Sequence, residues 1–240
     1  MVSRLAVWDA WGELALATIA ECEFDVEDVE YLRHATGPLL GRTYRPRVER
    51  PTAAIIELHG GGWGMFDRTR GVTVHEALAR RGIFVLSLDF RQGAEGAYPV
   101  MLQDINYAIR WLKANCERFG IDPGRVGISG NSTGGQTAML TAMRPNDPRY
   151  GSLRLPAGSP VVDASVRCVI MLWPVINPIG RYHHAKALRD SARPSEWCEP
   201  MIASHDAFWG TEANMSEASP TQMLGRREAV DMPPALWVRA

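Results

Sequence analysis

The sequence predicts an α/β fold built on a doubly wound, mainly parallel sheet. Two observations carry this. Short apolar or β-branched runs that do not alternate suit strands buried on both faces, and helical patterns between them call for right-handed crossovers. A chain of 240 residues, 46% hydrophobic and 22% charged, can bury one substantial core, so a single domain over residues 1–240 is expected.

Taken in order, residues 26–35 and 38–47 read as two extended segments around Thr36-Gly37, an antiparallel hairpin at the sheet's edge. Residues 53–58, 83–88, 126–129 and 166–172 are the buried strands. The clearest helix runs from Val100 to about Arg118, where Met101, Ile105, Ala108, Ile109, Leu112 and Cys116 recur at steps of three and four and Gly120 stops the pattern. Residues 179–230 carry Pro, Trp, His and Met without strand rhythm and read as a cap-like cover of helices and loops. Pro233-Pro234 then introduces a last strand at 235–238. In such a sheet, functional groups gather at the carboxyl ends of the strands.

Composition excludes several classes of partner. A net charge of -1 without Lys/Arg runs leaves no footprint for nucleic acid or an anionic membrane, so a small uncharged or weakly charged substrate is expected. No apolar stretch approaches the roughly 18–20 residues of a membrane span. Cys22, Cys116, Cys168 and Cys198 form no CxxC pair, and the N-terminus has no basic region followed by an apolar core. The expectation is a reduced, cytoplasmic protein with no metal site and no cofactor. Cys168, inside an apolar run, reads as a structural thiol.

Two motifs carry chemistry. Gly130-Asn131-Ser132-Thr133-Gly134-Gly135 follows a strand and opens a helix, the context of a nucleophile elbow. Gly-x-Ser-x-Gly alone occurs by chance in roughly one chain in ten of this length, so context decides; the bland alternative is a close-packed or phosphate-binding turn. His59-Gly60-Gly61-Gly62-Trp63 also follows a strand. Three consecutive glycines let main-chain N–H groups approach within about 3 Å of an oxyanion. His59 is expected to brace that loop, and Trp63 to floor a pocket.

The pair of motifs, Ser132 standing 73 positions after His59, resembles the hormone-sensitive-lipase-like esterases of the α/β-hydrolase fold. Leu88-Asp89-Phe90-Arg91, Tyr98-Pro99, Ile121-Asp122-Pro123, Glu217-Ala218-Ser219-Pro220 and Pro233-Pro234-Ala235-Leu236 extend the resemblance over roughly residues 40–240. It implies a carboxylesterase acting through an acyl-enzyme on Ser132, with the N–H groups of Gly61, Gly62 and Thr133 as oxyanion hole. Trp63 and Trp209 are the expected pocket residues, and Phe66, Phe90, Tyr98 and Trp173 offer further apolar walls. Asn131 and Thr133 depart from the family's usual acidic residue and Ala, which points to tuning of the pocket.

The resemblance also implies a triad acid after strand 235–238 and a His beyond it, whereas the sequence ends at Ala240. Asp231 precedes that strand, and His183, His184 and His205 fall in the covering segment, so none fits the triad. The expectation is therefore a C-terminally incomplete sheet, its apolar surface exposed or covered by a second chain or a homo-oligomer contact. The alternatives are an inactive ligand-binding or interaction module, or hydrolysis of an amide, carbamate or lactone by the same apparatus.

Overall fold

A computed structural model of the protein describes residues 21–239 in full and residues 3–8 and 14–19 as backbone. Strands β1 (Ser3–Trp8) and β2 (Leu14–Ile19) pair antiparallel as a small sheet of their own. The main sheet opens with the expected hairpin, β3 (Phe24–His34) and β4 (Gly37–Pro46). Strands β5 (Thr52–Leu58) and β6 (Phe84–Leu88) follow, separated by α1 (Val72–Arg80). Next come α2 (Val100–Ala114), α3 (Cys116–Phe119), β7 (Ile121–Asn131), α4 (Thr133–Met143) and β8 (Val169–Leu172). The covering segment forms α5 (Pro178–Arg189), α6 (Cys198–Trp209), α7 (Glu212–Glu217) and α8 (Pro220–Gly225), before β9 (Ala235–Val238).

The seven strands lie in the order β3-β4-β6-β5-β7-β8-β9. β4 is antiparallel to both β3 and β6, and every pairing from β6 to β9 is parallel. The non-alternating runs explain this placement. All of β6 is buried, as are Ala54, Ile55, Ile56 and Leu58 of β5, because helices cover both faces. At the far edge the sheet behaves differently: Leu236 and Trp237 of β9 are half exposed.

The expected helix over 100–118 is two helices. Asn115 leaves helical geometry and its side-chain amide donates to Trp111 O at 2.8 Å, the local competition that makes Asn a poor interior residue. The Asp89-Phe90-Arg91 strand end is a brace. Buried Asp104 of α2 accepts the Arg91 N–H at 3.0 Å and its guanidinium at 2.7 Å, while Asp89 accepts the Arg68 N–H and guanidinium, each at 2.8 Å. The loops after β5 and β6 are thereby tied to the sheet edge where the two motifs lie. Cys168 is partly buried against Gly127, and burial pushes its thiol pKa up, away from reactivity.

Candidate active site

β5 and β7 run side by side with Leu58 opposite Gly130, so the chain segments leaving their carboxyl ends begin as neighbours. Ser132 occupies the turn from β7 to α4 with φ 56° and ψ −116°, a conformation that costs a residue with a side chain about 1–3 kcal/mol. Its surroundings hold it there. The Ser132 N–H donates to Leu172 O at 2.8 Å, and Ser132 O accepts from Val175 and Gln136, each at 3.2 Å. A Cβ on Gly134 would stand 2.2 Å from Leu58 O, and one on Gly130 2.4 Å from the Gly134 carbonyl. Backbones of β5, β7 and α4 touch directly, which only glycine allows.

The glycine loop closes over this turn. A Cβ on Gly60 would lie 2.9 Å from Asn131 O and 3.2 Å from Ser132 Cβ, so residues far apart in sequence meet backbone to side chain. Gly61 and Gly62 have φ of 105° and 61°. Among the described residues no acceptor takes the N–H of Gly61, Gly62 or Thr133, the last being the first residue of α4 and an orphan donor at a helix N-terminus. His59 is buried, stacks on Phe90 with ring centroids 4.4 Å apart, and donates from Nδ1 to Gly60 O at 2.8 Å. It braces the loop.

Ser132, Gly61 and Gly62 line one cavity of about 540 Å³. Trp63, Met65 and Gly93 extend this wall, and the covering helices supply the opposite one: α5 contributes Arg181, and the α6 region contributes Trp197, Met201, Ser204 and Phe208.

The chain that carries this strained serine resembles known proteins in sequence and in fold. The BD-FAE family model matches residues 43–216. The chain belongs to the BD-FAE family. Esterase LipC of Mycobacterium tuberculosis is 30% identical over 179 residues, 74% of this chain and 42% of that protein. Esterase LipI of the same organism is 27% identical over 206 residues, 83% of this chain and 59% of that protein. The chain thus spans about half the length of these relatives. Among solved structures, esterase B from Lactobacillus rhamnosus superposes with a TM-score of 0.69 at 24% identity, over 90% of this chain and 65% of that one. A hyperthermophilic esterase from Pyrobaculum calidifontis superposes with a TM-score of 0.67 at 22% identity, over 90% and 65% respectively. The fold is that of the α/β-hydrolases.

In this BD-FAE chain the aromatic wall differs from the one expected. Trp63 lines the cavity, its Nε1 donating to Gln136 Oε1 at 3.2 Å and its ring stacked on Phe208 at 5.1 Å. Trp209 does not line it. It is fully buried behind Trp63, edge-on at 5.6 Å, and packs on Tyr98. Adjacent residues on a helix point about 100° apart, so when Phe208 faces the cavity Trp209 faces the core. Phe66 and Trp173 are exposed, Phe90 supports His59, and Tyr98 donates to Glu217 at 2.6 Å, so none of these lines the cavity. The signal for Phe208 was legible: Met201, Ser204 and Phe208 repeat at steps of three and four.

None of the six histidines hydrogen-bonds Ser132. His34 reaches Asp104, His59 Gly60 O, His183 Glu212 and His205 Met201 O. His75 faces Glu57 at 3.1 Å, and His184 is exposed and stacked on Trp197. Asp231 donates its N–H to Met143 O at the far end of α4, away from the elbow.

Proposed function

We propose that this chain is the nucleophile-bearing part of a serine carboxylesterase acting on small esters. The observation that carries the reading is Ser132, held at positive φ beside Gly60 and opening into the cavity that Gly61 and Gly62 also line. Ser132 Oγ attacks the ester carbonyl and its proton passes to a base. The N–H groups of Gly61, Gly62 and Thr133 stabilise the oxyanion, each worth a few kcal/mol when preorganised. Collapse expels the alcohol, which takes up that proton, and water then releases the acid from the acyl-enzyme and restores the serine. Amides, carbamates and lactones present the same carbonyl to the same donors.

A serine hydroxyl attacks esters slowly without a base. Since all six histidines are engaged elsewhere or removed from Ser132, the base and its acid are supplied by polypeptide other than residues 1–240, in cis or from a second chain. Four free thiols, and the absence among the described residues of any helix long and apolar enough to cross a membrane, support a cytoplasmic setting.

The test is labelling by a fluorophosphonate with mass mapping of the adduct, together with hydrolysis of a nitrophenyl ester. Labelling should fall on Ser132 and the Ser132→Ala change should lower turnover by at least ~10³-fold. Residues 1–240 alone should turn over the ester far more slowly than the protein extended or complemented by its missing base. Absence of labelling in the complemented protein would leave a ligand-binding module instead.

A further inference from the structure

Arg181 differs from most other withdrawn arginines; Arg81, whose Nε is buried without a partner, lies away from the cavity. Arg68 pairs with Asp28 and Asp89, Arg91 with Asp104, and Arg144 with Glu217 and Glu228. Arg110, which lacks an acid, donates to Asn106 Oδ1 and Leu153 O, each at 2.8 Å. The Arg181 backbone N–H donates to Asn177 O at 3.0 Å, but its guanidinium has no hydrogen bond and no ion pair among the described residues. Burial pushes its pKa down and no acid is close enough to offset that. Asp206 on α6 is engaged instead by the hydroxyl of the next residue, Tyr182, at 2.8 Å.

Arg181 nevertheless lines the cavity that holds Ser132, together with Trp63, Trp197, Pro200, Met201 and Phe208. Arg181 is half-buried and its nitrogens are not sealed from solvent, so its donors are free to bind what enters the site. A planar carboxylate matches the guanidinium fork, giving two parallel charge-assisted hydrogen bonds. Among the described residues Arg181 is the only cationic side chain lining the cavity, so the match is to a single negative charge, whereas a phosphate dianion would call for more. A net charge of -1 averaged over the whole surface, which suggested a small uncharged or weakly charged substrate, could not reveal this.

We propose that Arg181 sets the specificity of this cavity, and that the ester brought to Ser132 carries a carboxylate which the Arg181 guanidinium binds. This rests on the esterase reading, and the test separates the two.

Binding is measured by calorimetry on the Ser132→Ala protein, where hydrolysis cannot interfere. Ethyl hydrogen glutarate is compared with diethyl glutarate, placing the charge on the acyl side. Likewise 3-acetoxybenzoate is compared with its methyl ester, placing it on the alcohol side. In at least one pair the acid should bind at least tenfold more tightly than its neutral partner. Arg181→Gln should erase that preference without weakening the neutral ester, and Arg181→Lys should retain part of it. Because Arg181 makes no ion pair, Arg181→Gln should keep or raise the thermal midpoint, which separates loss of recognition from loss of fold.

Equal affinity for acid and neutral partner in both pairs overturns the proposal, as does a preference that survives Arg181→Gln. If that variant does not fold, the comparison within each pair and the Arg181→Lys protein still decide. A carboxylate preference in a protein whose Ser132 resists labelling would uphold the site and remove the hydrolysis; labelling without the preference would do the reverse.

Discussion

The two sides of the cavity are built by opposite means. On the sheet side, the turn at Ser132 and the loop at Gly60 are held by backbone lying against backbone, with no room for a single methyl group at Gly130 or Gly134. On the helical side, α5 to α8 are held by side chains. Trp63 stacks on Phe208, Tyr182 donates to Asp206, and Glu217 collects Tyr98, Arg144 and Arg149. A site defined by missing side chains permits almost no substitution. A wall defined by paired side chains can be revised one pair at a time, so the two sides of the cavity can change independently.

The same substitution on the two sides should break this comparison most sharply if it is wrong. Gly134→Ala drives a methyl group into Leu58 O and His59 O, two carbonyls at 2.2 and 2.5 Å, and is expected to cost ~3 kcal/mol or more. Gly210→Ala, at the end of α6 with φ 68° and open space around it, should cost only ~1 kcal/mol. Denaturant titration of the two variants gives both numbers. Equal losses would mean that the sheet side relaxes as readily as the helical side.

The next effect is specific to the helical side. His205 has no exposed surface, and burial pushes its pKa from 6.5 down to about 4, against the opposing hydrogen bond with Met201 O. Between those values the unfolded chain binds a proton that the folded chain refuses. Stability from this group is therefore complete above pH 6.5 and is lost as pH falls through 4, by ~3 kcal/mol in all. His205→Gln should flatten that part of the pH–stability curve. A slope unchanged in the variant would place its origin elsewhere.

Glu217→Gln should have a smaller effect. Burial raises the Glu217 pKa, but hydrogen bonds from Arg149, Tyr98 and Arg144 outweigh it and the net shift is downward. Its contribution is thus present above the ordinary Glu pKa and lost as pH falls. Because its side chain is 36% exposed and Arg144 keeps Glu228, a loss of ~1–2 kcal/mol at neutral pH is expected, fading in acid. Parallel melts of both proteins at pH 7 and in acid check this, and a constant difference would argue against an ionic origin.

The same division explains what could be read in advance. The strands at 53–58, 83–88 and 235–238, the hairpin and both glycine motifs were legible, because periodicity and glycine runs are local signals. Asn115 splitting the long helix was within reach too, since Asn competes for backbone carbonyls wherever it stands. Trp209 was misplaced because composition says that an aromatic residue is present but not which way its helix is rotated. Arg181 went unnoticed for a related reason: nothing local distinguishes an arginine that will have an acid beside it from one that will not.

By itself, then, the amino-acid sequence determined the order of strands and helices and the identity of Ser132 and its glycine neighbours, since steric limits on backbone act within a few residues. Only the tertiary structure decided that Gly60 meets Ser132, that Phe208 rather than Trp209 faces the cavity, and that Arg181 is left unpaired inside it. Those outcomes depend on strand register, helix rotation and the distances between charges remote in sequence, which are set when the elements pack.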